Sequence, residues 1–198
     1  MYEFLAGFAL SFSLILAIGA QNAFVLKQGI KREHVFIVCL LCALSDALLI
    51  LAGVFGFGYF VSQNPLVLKF ALWGGFLFLF AYGIRSLWSA YKHENALIVD
   101  NNTPNNLLKT ILLTLSFAWL NPHVYLDTMV LIGSVSLKYD SNFAFALGAI
   151  SASFVFFFTL GYAARVLTPL FKQAKSWKIL DTIVGIIMLI LAFALIKF

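Results

Sequence analysis

Apolar residues run through this chain in six long blocks, with polar and charged residues gathered between them. Three stretches carry no charged side chain: Phe4–Leu26 over 23 residues, Ala47–Leu68 over 22 and Ser141–Ala164 over 24. A helix crossing the hydrocarbon core of a bilayer needs about 20 such residues. Boundaries set at the polar interruptions predict helices near 4–26, 35–60, 66–88, 107–133, 143–167 and 177–197. The expected fold class is an all-α integral membrane protein with six transmembrane helices.

One connection is longer than the rest. Lys92–Asn106 (KHENALIVDNNTPNN) is polar and Asn-rich, and it separates residues 1–91 from 107–198, with three spans in each half. Three is odd, so the second half enters the membrane from the opposite side, the inverted-topology arrangement common in secondary transporters. A faint repeat agrees with two such three-helix units. Ala20-Gln21-Asn22-Ala23 in span 1 matches Leu120-Asn121-Pro122-His123 in span 4, and Gly74 in span 3 aligns with Gly185 in span 6.

Composition and charge sharpen this picture. Hydrophobic residues make up 63% of the chain and charged residues 11%, against about 25% charged in soluble domains. The net charge of +5 is not the footprint of nucleic-acid binding, because the basic residues lie between apolar blocks and form no face interleaved with aromatics. They orient the chain instead. With the N-terminus outside, the inner side holds Lys27, Lys31, Arg32, Arg85, Lys92, Lys109, Arg165, Lys172, Lys175 and Lys178, and the outer side only Lys69, Lys138 and Lys197. Ten against three follows the positive-inside rule. It places both termini outside and the central linker in the cytoplasm. Met1–Glu3 lacks the basic n-region of a signal peptide, so the first span is expected in the mature protein.

Candidate chemistry is concentrated in a few polar residues inside apolar blocks. Six of the eight acids occupy loops or helix ends; Asp181 among them follows Lys178 by three positions and reads as an interfacial ion pair or first-turn acid. Asp46 and Asp127 lie within spans 2 and 4, where an ionised carboxylate costs about 2.5–3.5 kcal/mol. No basic residue lies deep enough to neutralise both, which is what a cationic substrate or a transported proton requires. Pro122 removes a backbone donor and is expected to break span 4 near Asn121, while Gly19 is expected to loosen span 1 beside Gln21 and Asn22. Freed carbonyls at such breaks need partners or a wet cavity. The candidate substrate-binding or proton-coupling residues are therefore Asp46, Asp127, Asn22, Asn121, Gln21 and Ser45, with helix breaks at Gly19 and Pro122. His123, four positions before Asp127, makes no metal site alone, and Cys39 and Cys42 form a C-x-x-C read as two core-packing thiols. Neither a metal nor another cofactor is expected.

Three motifs carry a resemblance to a known family. The segment from Ile18-Gly19-Ala20-Gln21-Asn22 through Lys27-Gln28-Gly29-Ile30-Lys31-Arg32-Glu33, then Leu44-Ser45-Asp46-Ala47, then Leu120-Asn121-Pro122-His123-Val124-Tyr125-Leu126-Asp127-Thr128 resembles the lysine/arginine exporter (LysE/ArgO) family. The resemblance covers essentially the whole chain. It implies secondary export of basic amino acids across the bacterial cytoplasmic membrane, with the family's motif acids and asparagines falling on Asp46, Asp127, Asn22 and Asn121. The expected partners are therefore L-arginine or L-lysine; the buried acids add protons as the exchanged ion, and the composition adds membrane lipid and no nucleic acid, with self-association into a homo-oligomer allowed.

Rival readings keep the fold and change the cargo, or change the class. Neutral amino acids leave two intramembrane acids unexplained, and a metal cation lacks a Cys/His/acid cluster. Facilitated diffusion without proton coupling uses the same acids as binding charges only. A membrane-embedded enzyme needs more than Ser45 beside Asp46, and a purely structural protein needs neither acid.

Overall fold

The computed structural model describes residues 1–16, 19–56, 65–92, 106–121 and 124–196, and every element among them is helical. In chain order these are α1 (Tyr2–Ile15), α2 (Ala20–Lys31), α3 (Val35–Val54), α4 (Pro65–Lys92) and α5 (Leu107–Trp119). A π-helical segment, Tyr125–Ile132, continues into α6 (Gly133–Ser136); α7 (Asn142–Ala163) continues as a 3-10 segment, Ala164–Lys172; α8 (Ala174–Ile196) closes the chain.

Local chemistry explains where the helices stop and start. Asn106 caps α5, its side chain accepting from the Leu108 and Lys109 amides at 3.0 and 3.4 Å, and Ser141 caps α7 through the Ala144 amide. Both satisfy amide donors that a helix N-terminus leaves without intrahelical partners. At the end of α2, Glu33 N donates to Gln28 O and Arg32 N to Gly29 O. This is a Schellman closure with Arg32 in the left-handed region at φ 59. His34 follows at φ 48, so two left-handed residues reverse the chain into α3 within three positions.

Among the described residues three helices are long and apolar enough to cross a bilayer, Val35–Val54, Asn142–Phe171 and Lys175–Ala194, and a fourth span results if the bent pair α1 and α2 counts as one. The 28 residues of α4 reach about 42 Å at 1.5 Å each. The protein's outside is apolar too: Leu48, Trp73, Leu77, Phe143 and Ile190 are all more than half exposed. Such an apolar exterior suits lipid and not water.

Two expected spans are not continuous helices. Residues 4–26 divide into α1 and α2, which meet at 81°, and residues 107–133 divide between α5 and the π-helical segment. Gly19, the expected loosening point, is the extended N-cap of α2 with φ −109 and ψ 175. Asn121 lies between the helices of the second break; Pro122 and His123 fall outside the described residues, as does most of the Lys92–Asn106 linker.

Small residues let the helices meet closely. Gly7 of α1 packs on the Phe145 backbone of α7, while Gly148 of α7 packs on the Phe4 backbone. Gly53 of α3 meets Met129, Gly133 meets Gly53, and Gly29 of α2 meets Gly161. Backbone approach of this kind is how helices associate where no water drives them together. The α4–α8 pair is reciprocal: a Cβ on Gly83 would lie 3.2 Å from Gly185 O, and one on Gly185 would lie 3.1 Å from Gly83 O. Gly74, the residue aligned with Gly185 in the sequence repeat, meets nothing within 4 Å among the described residues. Cys39 and Cys42 are buried, with Cys39 Sγ donating to Phe157 O at 3.1 Å.

Candidate functional site

The two interrupted helices leave a cavity of about 220 Å³ between them. Gly19, Gln21 and Asn22 reach it from the start of α2, Asp46 from the middle of α3, Asn121 from the second break, and Asp127 and Thr128 from the π-helical segment. Ile15, Phe157 and Leu191 supply apolar wall. Seven residues singled out from the sequence fall on described positions (Gly19, Gln21, Asn22, Ser45, Asp46, Asn121 and Asp127), and six of them line this one space. Ser45 is the exception. It is buried and accepts a hydrogen bond from Trp119 Nε1 at 3.2 Å, tying α3 to the end of α5.

Each break leaves carbonyls without helical partners, and side chains near the cavity take them up. Asn22 Nδ2 donates to Ile15 O at 2.7 Å, closing the end of α1. Tyr125 Oη donates to Trp119 O at 2.7 Å, closing the end of α5. The breaks are thereby held open, as an apolar environment demands of any interrupted helix. The N-terminus of α2 has no side-chain cap. Gly19, Gln21 and Asn22 of this N-terminus line the cavity, and a helix N-terminus is a setting suited to an anion.

Burial is deep at the polar wall. Asp46 is 3% exposed and accepts from Ser153 Oγ at 3.2 Å; Asn121 is 7% exposed. Gln21 Nε2 is buried and, among the described residues, makes no hydrogen bond to an oxygen acceptor, with the Cys42 thiol beside it. Sulfur is a weak acceptor, so this amide retains capacity for a carboxylate. One cavity thus offers carboxylates for a cation and amide donors with a helix N-terminus for an anion. A zwitterion with a cationic side chain presents both. Among the described residues no group of three His, Cys, Asp or Glu side chains could hold a metal.

Sequence reasoning missed two features. Ser153 carries the hydrogen bond to Asp46, and its one signal is that Ser153 and Gly161 in α7 repeat the spacing of Ser45 and Gly53 in α3. Asp181, expected at an interface near Lys178, is instead 1% exposed and accepts from Lys27 Nζ at 2.5 Å and from Ser89 Oγ at 2.7 Å. This buried network joins α2, α4 and α8. Its partners are far apart in sequence, so local spacing carried no sign of it.

Comparison with known proteins identifies the family. The LysE type translocator profile matches residues 12–197. An arginine exporter protein ArgO from Serratia proteamaculans is 43% identical over 187 residues, 93% of this chain and 91% of that protein. Proteins of the same name from Salmonella enteritidis PT4 and Klebsiella pneumoniae are 44% and 43% identical, each over 96% of this chain and at least 90% of their own length. No solved structure matches the chain. The protein is a transporter and not an enzyme: the chain belongs to the LysE type translocator family.

Proposed function

We propose that the protein exports L-arginine, and L-lysine with it, across the bacterial cytoplasmic membrane in exchange for protons. The observation that carries this reading is the single cavity in which Asp46 and Asp127 meet Gln21, Asn22 and the uncapped start of α2. A guanidinium or ammonium pairs with the carboxylates, and the α-carboxylate lies at the α2 N-terminus beside Gln21. The relatives that match nearly end to end carry the name arginine exporter, which favours arginine as cargo.

The same reading holds that six spans form two inverted three-helix repeats, residues 1–91 and 107–198, joined by a cytoplasmic linker. In support, the first and fourth expected spans are both broken beside an Asn, and α4 and α8 pack antiparallel through the reciprocal Gly83–Gly185 contact. Both termini lie outside.

Proton exchange follows from energetics. Moving a cation out of a negatively charged interior is uphill by about 2.3 kcal/mol per 100 mV. A proton returning on the same carboxylates offsets that charge: the acid releases its proton inside, binds substrate, and is reprotonated outside. An inward proton gradient imposed on reconstituted vesicles is expected to accelerate arginine efflux and to alkalinise the medium. Efflux unchanged when that gradient is collapsed at constant membrane potential would leave facilitated diffusion as the mechanism.

A further inference from the structure

A second cavity, of about 590 Å³, opens between α2, α4 and α5. Among the described residues its wall includes Lys27 and Lys31 from α2, Arg85 from α4 and Lys109 from α5, against one acid, Glu33. Two of these cations are engaged: Lys27 with Asp181, and Lys31 over the Trp177 ring at 5.7 Å. Among the described residues no carboxylate lies within ion-pairing distance of Arg85 or Lys109. Gln28 also lines the cavity, is 9% exposed, and has a side-chain oxygen with no hydrogen-bond partner among the described residues.

Under the proposed orientation this cavity is on the cytoplasmic side, where a cationic substrate enters. An excess of positive charge there opposes entry unless an anion is bound. We infer that the cavity binds a phosphate ester bearing hydroxyl groups, its phosphate between Arg85 and Lys109 and a hydroxyl donating to Gln28 Oε1. Arg and Lys supply charge-assisted hydrogen bonds to phosphate oxygens. Basic pockets between spans on the cytoplasmic side are the expected seats of acidic lipid headgroups. Two sources share this chemistry: the headgroup of phosphatidylglycerol in the surrounding bilayer, and soluble glycerol phosphate in the cytoplasm. Bound there, the anion neutralises the entrance and speeds loading of arginine. The effect on transport rests on the export reading; the binding does not.

The test compares wild type with the Arg85→Gln, Lys109→Gln double variant, both positions being exposed. Native mass spectrometry reads retained phosphatidylglycerol, calorimetry reads glycerol phosphate binding, and vesicles of zwitterionic lipid with or without phosphatidylglycerol read arginine efflux. Loss of two basic side chains is expected to weaken retention of the phosphate ester by about tenfold to thirtyfold. Wild-type efflux is expected to rise with phosphatidylglycerol, and the variant's to respond less. Retention of the lipid alone assigns the bilayer as source, and tight glycerol phosphate binding assigns the cytoplasm. Equal binding of both probes by wild type and variant overturns the site. Binding that differs between them without arginine efflux under any condition overturns the export reading and leaves the site standing.

Discussion

Ser153 Oγ donates to Asp46 Oδ2 at 3.2 Å, linking α7 to α3 at the wall of the central cavity. Both residues are buried, and the hydroxyl leaves the second carboxylate oxygen for another partner. Ser153→Ala removes one neutral donor and is expected to weaken arginine binding by about 1 kcal/mol. Asp46→Asn removes the charge itself, at about 2–5 kcal/mol. Ligand-induced thermal stabilisation of the purified protein orders the two variants. An alanine variant that binds more weakly than the amide one would contradict a supporting role for Ser153 and a charge-pairing role for Asp46.

The Lys27–Asp181 pair behaves differently from a surface ion pair. Removing one member leaves a charge buried without its partner, so Lys27→Met and Asp181→Asn are each expected to destabilise the protein by about 3–5 kcal/mol. Lys27→Met combined with Asp181→Leu removes both charges and is expected to be milder than the sum. Thermal unfolding in detergent measures all three. A double variant as damaged as the two singles added together would show that the residues act independently.

Glycine has opposite value at two positions. A Cβ on Gly53 would lie 2.5 Å from Met129 O, so Gly53→Ala forces α3 away from the π-helical segment, with an expected loss of about 1–3 kcal/mol. Among the described residues a Cβ on Gly74 meets nothing within 4 Å, and Gly74→Ala is expected to gain up to about 1 kcal/mol of helix propensity. Melting temperatures that move in the same direction for both variants would be inconsistent with this packing.

Much of the candidate site was legible in the sequence because intramembrane polar residues are costly and therefore conspicuous. Asp46, Asp127, Asn22, Asn121 and Gln21 stood out against apolar blocks, and all five line one cavity. Gly19 was legible as a break for the same reason, since a Gly-Ala-Gln-Asn run interrupts an otherwise uniform helix. Ser45 stood out equally and turned away, taken by the Trp119 indole. What stayed hidden depends on contacts between distant segments. Lys27 looked like a loop charge and Asp181 like a helix-start acid, and only packing of α2 against α8 shows them paired. The Gly83–Gly185 contact was equally invisible, because it depends on how α4 crosses α8.

Topology has its own check. A reporter fused within residues 93–105 is expected to register the cytoplasm, and one after the last residue the external side, because ten of thirteen basic residues then lie inside. An external linker or a cytoplasmic C-terminus would overturn this orientation.

The central claim is that a cavity with two carboxylates carries basic amino acids outward. Its most direct test is efflux of labelled L-arginine from loaded proteoliposomes containing the wild type, Asp46→Asn or Asp127→Asn, with labelled L-leucine as control cargo. The expected result is arginine efflux by wild type, its loss in both variants although each remains inserted, and no leucine efflux in any sample. Near wild-type arginine efflux by either amide variant, or leucine moved as readily as arginine, would contradict it.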